Sequence, residues 1–229
     1  MAVCARVVGL EEFDLMKLKP QDMFASSIHF WIPDVRSSKG GIQEFSNRLL
    51  EAVGACMSMD RSLVLSKNDP GARLDAGPAG CRVTGSGHWP LSLRTLAYGG
   101  RLVWRALCDR PDAILATHVH FSPAARFVNH FRRVPYAVVA HGIDAWNLSK
   151  PGIVKALQSA DLVLAVSRFT RDQMLSRLPL SADRVRLLPN TFDSRRFQPG
   201  PKPKYLLERF GLTADQPVIF TVRSEEHTS

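Results

Sequence analysis

Apolar and polar positions along this chain alternate between two regimes. Short runs of consecutive apolar residues at 24–32, 62–66, 81–84, 113–117, 136–140, 162–166 and 185–188 read as strands buried on both faces. Between them, stretches at 42–56, 93–108, 124–131, 151–158, 168–177 and 205–210 follow helical spacing. In the first helix Ile42, Phe45, Leu49, Leu50 and Val53 fall on one face, with Glu44, Arg48 and Glu51 elsewhere. Ser167 stands where an N-cap of the helix 168–177 belongs. Nearly all-apolar strands alternating with helices imply a parallel sheet covered on both faces. Right-handed crossovers then wind it into an α/β, Rossmann-like domain with a doubly wound parallel sheet.

The same pattern divides the chain. Residues 1–23 precede the first strand as an N-terminal extension, and 24–198 form the Rossmann-like domain. The segment Phe197-Gln198-Pro199-Gly200-Pro201-Lys202-Pro203 holds three prolines in five residues, which makes a stiff, extended connector. The helix 205–210 and an apolar run at 216–222, read as a strand, follow it. Residues 199–222 are therefore expected to be a linker and the first elements of a second α/β domain. The polar heptapeptide 223–229 matches the translated read-through of a common sequencing adaptor, so native sequence is expected to end near Val222. Residues 67–90, rich in Gly, Pro and Asp, read as a long loop around one short strand.

Composition narrows the function classes. The chain has 229 residues, 45% of them hydrophobic, enough for a globular core. No apolar run approaches the roughly 18 residues of a membrane span. Glu11, Glu12 and Asp14 interrupt any signal-peptide core, which points to a cytoplasmic protein. Four cysteines without C-x-x-C spacing read as reduced, mostly buried thiols and indicate neither a disulfide frame nor a zinc site. The net charge of +9, from 30 Lys and Arg against 21 Asp and Glu, favours anionic partners. The basic residues are spread along the chain without aromatic interleaving, which disfavours nucleic acid. Peripheral association with an acidic membrane surface, at the inner membrane face, is compatible with this balance, although no amphipathic basic helix stands out.

Ligands of open α/β sheets bind beyond the carboxyl ends of the strands, and three clusters fall there. In Ser38-Lys39-Gly40-Gly41-Ile42-Gln43 adjacent glycines open a helix, so backbone can approach a phosphate at its N-terminus or simply make a tight turn. The pattern is neither G-x-G-x-x-G nor a Walker A loop. His141 follows the strand 136–140 directly and can hydrogen-bond a substrate hydroxyl. Asp144 and Trp146 beside it suit a sugar, although a strand-end histidine can also be structural. His118 and His120 can share one side of an extended segment and, with His141 and Asp144, offer a metal set. No supporting carboxylate pair accompanies them, so no metal is expected.

Taken in order, Gly40-Gly41-Ile42-Gln43, Arg110-Pro111-Asp112-Ala113-Ile114, Val134-Pro135-Tyr136, His141-Gly142-Ile143-Asp144, Ala160-Asp161, Val166-Ser167, Leu188-Pro189-Asn190, Asp193 and Phe197-x-Pro199 resemble the N-terminal half of a family 4 retaining glycosyltransferase. The resemblance covers most of the chain between residues 24 and 222. It implies a GT-B fold, in which two Rossmann-like domains flank a catalytic cleft. The first domain holds the acceptor, a sugar or a lipid-linked intermediate, and the second holds the nucleotide-sugar. By this resemblance Gly40, Gly41 and Ile42 lie near the donor phosphates and His141 is the catalytic contact to the transferring sugar. Asp144 and Asn190 join them as substrate-binding residues, with Ser167 and Asn190 at the cleft wall. Members often carry Asn-Gly where this chain has Asn190-Thr191, which alters the local turn. The family's basic pair and donor-site carboxylate belong beyond Val222, and Arg223 is not assigned that role. No metal cofactor is implied: basic side chains and helix N-termini stabilise the departing diphosphate, which helps deprotonate the acceptor at the front face.

The implied activity is transfer of a sugar from a nucleotide-sugar to an acceptor hydroxyl with retention, with the N-terminal part inactive alone. Three other readings stay open: a non-catalytic acceptor-binding module, a related GT-B sugar-nucleotide epimerase, and a metal-dependent hydrolase built on His118 and His120.

Overall fold

The computed structural model describes residues 27–37, 40–70, 80–146, 148–192 and 197–219. The expected extension 1–23, the strand start at 24–26, Ser38, Lys39, Asp193, the run 220–222 and the tail 223–229 lie outside them. The chain divides into two units, one ending at Asn190 and the other beginning at Thr191.

The first unit is built on a seven-stranded sheet of order β3-β2-β1-β4-β5-β6-β7, with every neighbouring pair parallel. Its strands are β1 (Ile28–Ile32), β2 (Leu63–Ser66), β3 (Arg82–Gly85), β4 (Ala113–Ala116), β5 (Tyr136–Ala140), β6 (Leu162–Ala165) and β7 (Val185–Leu187). Helix α1 (Gly41–Cys56) joins β1 to β2, and α2 (Leu91–Asp109) carries the chain from the edge strand β3 across to β4. Helix α3 (Ser122–Arg132) then leads to β5, the short α4 (Ile143–Trp146) and α5 (Pro151–Ser159) lead to β6, and α6 (Arg168–Arg177) leads to β7. Strand order reverses between β1 and β4, which makes their carboxyl ends the switch point of a doubly wound, Rossmann-like sheet.

Burial explains why these runs are strands. Every residue of β2 and β6 is buried, as expected for a parallel sheet covered on both faces. Successive side chains of β1 split between the two faces. Trp31 joins Tyr98 and Leu102 of α2, Val128 of α3, Leu157 of α5 and Met174 of α6. Phe30 and Ile32 meet Leu50 of α1 on the other face. Phe45 and Leu49, one turn apart on α1, pack on Val139, Leu162 and Leu164. One helix thus spans both halves of the second face. Ser167 caps α6 as expected, its Oγ accepting the Thr170 amide at 3.0 Å.

Two expectations change. Of the expected strand 216–222, the described residues 216–219 are irregular and exposed, with Ile219 96% accessible. A strand needs a ladder partner, and no described strand of the second unit offers one. That unit holds α7 (Lys204–Phe210), stopped by Gly211 at φ 61°, and the Lys202 ammonium donates to the carbonyls of Thr213, Ala214 and Gln216. Among the described cysteines only Cys81 is buried, its thiol pushed up to about 11 by desolvation, whereas Cys108 is exposed. No helix among the described residues is long and apolar enough to cross a membrane.

Tyr98 ties α2 to the carboxyl edge. Its buried hydroxyl donates to the Leu65 carbonyl at 2.7 Å and lies 3.1 Å from the Ile32 carbonyl, at the ends of β2 and β1. Burial raises its pKa well above the ordinary tyrosine value. Tyr98→Phe leaves buried carbonyls without their donor and is expected to lower stability by about 1–2 kcal/mol in urea denaturation. An unchanged midpoint would refute this role.

Candidate functional site

Beyond the switch point the chain leaves β1 through Pro33 and must turn toward α1. The turn is organised by Asp69, a fully buried residue just past the end of β2. Its carboxylate accepts the backbone amides of Val35 at 2.5 Å, Arg36 at 2.9 Å and Ser37 at 2.9 Å, together with the Ser66 hydroxyl at 2.5 Å. From the other side, Gln43 and Asn47 of α1 donate to the Val35 carbonyl at 2.5 and 3.2 Å. The loop is therefore clamped between a carboxylate and the first turns of the helix it feeds. Asp69 itself is wedged in place. A Cβ at Gly85 would sit 2.2 Å from the carbonyl oxygens of Asp69 and Pro70, and one at Gly87 would sit 2.2 Å from that of Asn68. The region read from sequence only as a loop thus supplies the residue that aims the site, and Ser66-x-x-Asp69 at a strand end was its one local signal.

Gly40 is the N-cap of α1, in extended conformation and without a side-chain cap. The first intrahelical amide to find its carbonyl is that of Glu44, which donates to Gly40 O at 3.0 Å. The amides of Gly41, Ile42 and Gln43 belong to the uncapped turn, where the helix carries partial positive charge. Among the described residues nothing lies within 4 Å of a Cβ built on Gly40 or Gly41, and both glycines are exposed.

His141 follows β5 and packs edge-on against Phe45 of α1, ring centroids 4.9 Å apart. Its Nε2 lies 2.9 Å from the Thr117 carbonyl beyond β4. A carbonyl only accepts, so Nε2 carries the proton and Nδ1 keeps a lone pair. Burial lowers the His141 pKa against the opposing pulls of the Thr117 carbonyl and Asp144, and the ring stays neutral. The Thr117 hydroxyl meets Ser46 Oγ of α1 at 3.1 Å, so α1, β4 and β5 converge on one histidine.

His118 and Asp144 form the next shell. His118 Nδ1 accepts the His120 amide at 3.2 Å, which leaves Nε2 to donate to Asp144 Oδ2 at 3.2 Å. The contact has the geometry of an ion pair, yet burial drives the His118 pKa down to about 4, with Asp144 opposing and the His120 and His141 rings reinforcing. It is a neutral donor on a carboxylate. The two histidines do come together, with rings stacked at 4.8 Å, but through a 3₁₀ turn at Val119–Phe121, not through the extended period expected for them. Among the described residues no group of three potential ligands is arranged for a metal ion.

Gly40, Gly41, Ile42, His141 and Asp144 therefore gather at the carboxyl edge of the sheet. Gly142 at φ 64° turns the chain into α4, which carries Asp144, and Trp146 of that helix lies 3.4 Å by Nε1 from Thr170 Oγ1 and edge-on to Phe169 of α6. Asn190 is exposed and ends the first unit beyond β7; no described contact ties it to His141.

Residues 44–196 match the sequence profile of Glycosyltransferase Family 4. No curated protein sequence matches the chain. Among solved structures, sucrose-phosphate synthase from Thermosynechococcus elongatus superposes with a TM-score of 0.63 at 15% identity, covering 84% of this chain and 54% of that one. Anabaena HepE, crystallised with UDP and glucose, gives 0.57 at 19% identity over 81% and 50%. UDP-N-acetylglucosamine 2-epimerase from Rickettsia bellii gives 0.53 at 12% identity over 82% and 52%. The chain spans about half the length of these structures. The likeness is one of fold, which many chemistries share.

Two outcomes test this construction. Asp69→Ala removes the buried acceptor of three amides, of which that of Val35 is itself buried, and is expected to cost about 2–3 kcal/mol in chemical denaturation; a loss below ~1 kcal/mol would contradict the clamp. The histidines set a pH dependence. His118 and the core residue His29 are both lowered to about 4 from 6.5, so between those values the unfolded chain binds protons that the native state refuses. Their stabilisation is complete above pH ~6.5 and declines toward pH ~4, on the order of a few kcal/mol. Urea unfolding at pH 7 and pH 5 reads it, and His118→Gln should flatten the profile.

Proposed function

The chain belongs to glycosyltransferase family 4, and on that premise we propose that it forms the acceptor-side part of a retaining glycosyltransferase. The enzyme moves a sugar from a nucleotide-sugar to an acceptor hydroxyl. In this reading residues 24–198 make the first domain of a GT-B fold and 199–222 open the donor domain. The observation that carries it is the juxtaposition of an exposed helix N-terminus without a side-chain cap and a neutral, anchored histidine: α1 begins at Gly41 after its N-cap Gly40, and Phe45 on its second turn touches His141. The amides of Gly41, Ile42 and Gln43 suit the diphosphate of the donor. His141, fixed through Nε2, offers the Nδ1 lone pair to a hydroxyl of the transferring sugar.

The roles then divide by chemistry. The partial charge at the start of α1 offsets the negative charge that develops on the leaving diphosphate, so metal-free transfer is proposed. A neutral His141 accepts a sugar hydroxyl without adding charge beside it. Asp144 acts through His118, holding that ring as a neutral donor next to His141. Asn190 remains a substrate contact by family resemblance. Retention through front-face departure, with the diphosphate taking the acceptor proton, belongs to this proposal, as does a cytoplasmic location. The acceptor is a sugar or a lipid-linked intermediate. HepE was crystallised with UDP and glucose, which supports a uridine-linked donor as the first to test.

The test uses the whole protein, with labelled nucleotide-sugar and candidate acceptors. His141→Ala is expected to cut kcat by about ten- to a thousandfold, the scale of a lost transition-state contact, while the chain stays folded. Undiminished turnover removes His141 from the site. The epimerase reading, which the fold of the Rickettsia bellii enzyme brings in, predicts conversion of the nucleotide-sugar with no acceptor present. Release of nucleotide only when acceptor is added decides for transfer.

A further inference from the structure

Helix α2 is apolar on two sides. Tyr98, Leu102 and Ala106 face the core, while Leu93, Leu96 and Trp104 project outward at 50%, 76% and 67% exposure. These outward residues, with Gly100 and Cys108 between and beyond them, recur at three- and four-residue intervals and form one stripe. Helix α3 packs beside α2 and repeats the device: Phe127 and Phe131 are 48% and 61% exposed, with ring centroids 4.7 Å apart. Both helices follow a strand's carboxyl end and return to the amino edge of the sheet, so they run in the same direction and finish together.

A basic cleft of about 310 Å³ lies where they finish, lined by Arg110, Arg132 and Arg133 around Pro111, Asp112 and Pro135. Arg110 and Arg133 are the C-caps of α2 and α3, and both adopt left-handed backbone, at φ 49° and 57°. Glycine is the unstrained residue at such a cap, and a side chain there costs roughly 1 kcal/mol. Two helices thus hold arginine in glycine's position, and both arginines line one cleft. Among the described residues none of the three arginines pairs with a carboxylate. Asp112 accepts the Ser27 amide at 2.7 Å instead.

We propose that this face of α2 and α3 seats the protein on an anionic lipid bilayer. Trp104, Phe127 and Phe131 enter the boundary between headgroups and acyl chains, and the arginine cleft takes lipid phosphates. Aromatic side chains beside guanidinium groups are the chemistry of a bilayer interface, and arginine forks match phosphate oxygens. A second copy of the chain is a poorer occupant, because at a formal net charge of +9 it adds like charge where a lipid phosphate adds the opposite one. The surface is shared between two helices, so neither stands out alone in the sequence as an amphipathic basic helix. The proposal is independent of the role given to His141.

Vesicle co-sedimentation tests it with the full chain, using phosphatidylcholine alone or mixed with phosphatidylglycerol. Binding is expected only with the anionic lipid and should weaken with salt. The double substitution Arg110→Gly, Arg133→Gly suits the positive φ, so the fold should hold while two cations disappear; affinity should fall about tenfold or more. Trp104→Ser with Phe131→Ser alters only exposed positions and should abolish binding with an unchanged circular-dichroism melt. No binding, equal binding to both vesicle types, or full binding by both variants overturns the proposal. So does a concentration-dependent dimer that Trp104→Ser dissolves, which would assign the face to self-association.

Discussion

A carboxylate removed from water is tolerated only when its lone pairs are filled, and Asp69 fills them with three amides of one turn and a hydroxyl. The rest of the site follows from that saturation. The amides of residues 35–37 converge on one point, so the chain leaving β1 has a single direction, and α1 starts where that direction ends. The absence of room for any Cβ at Gly85 and Gly87 keeps Asp69 from retreating. Hydrophobic packing then finishes the placement, because Phe45 and Leu50 anchor the same helix on opposite halves of the sheet.

The histidines read as a consequence of this placement. With α1 against β5, His141 has Phe45 on one edge and the Thr117 carbonyl on the other, and its tautomer is decided by an acceptor that cannot donate. His118 is decided in the same way, by the His120 amide. Burial then outweighs the Asp144 carboxylate and keeps both rings neutral. A neutral ring that presents a lone pair beside an uncapped helix end can receive a hydroxyl while an anion occupies the helix. That combination is what the proposed transfer requires of this domain.

Much of the fold was legible in the chain because the parallel sheet leaves a strong imprint. Runs such as 162–166 and 136–140 are apolar on both faces, and their ends fell close to the observed ones. Run 216–222 carried the same imprint, yet its described part is exposed, since an apolar run becomes a strand only beside another. His141 and Gly40 could be singled out by their place after a strand and before a helix. Asp69 could not: its three amide partners lie 32–34 residues away, and Ser66-x-x-Asp69 alone in a Gly- and Pro-rich stretch resembles any turn. His118 and Asp144 could be grouped from sequence only as members of one metal set; that they hydrogen-bond to each other depends on the segments after the neighbouring strands β4 and β5 meeting.

The central claim is that Asp69 holds the first turn of α1 open toward a diphosphate. Its most direct test is a titration of the ¹⁵N-labelled chain with uridine diphosphate, followed through the backbone amides of Gly41, Ile42 and Gln43. The account predicts that these amides shift together and that Asp69→Asn removes the response while the sheet amides keep their positions. Shifts confined to other elements, or an undiminished response in Asp69→Asn, would contradict it.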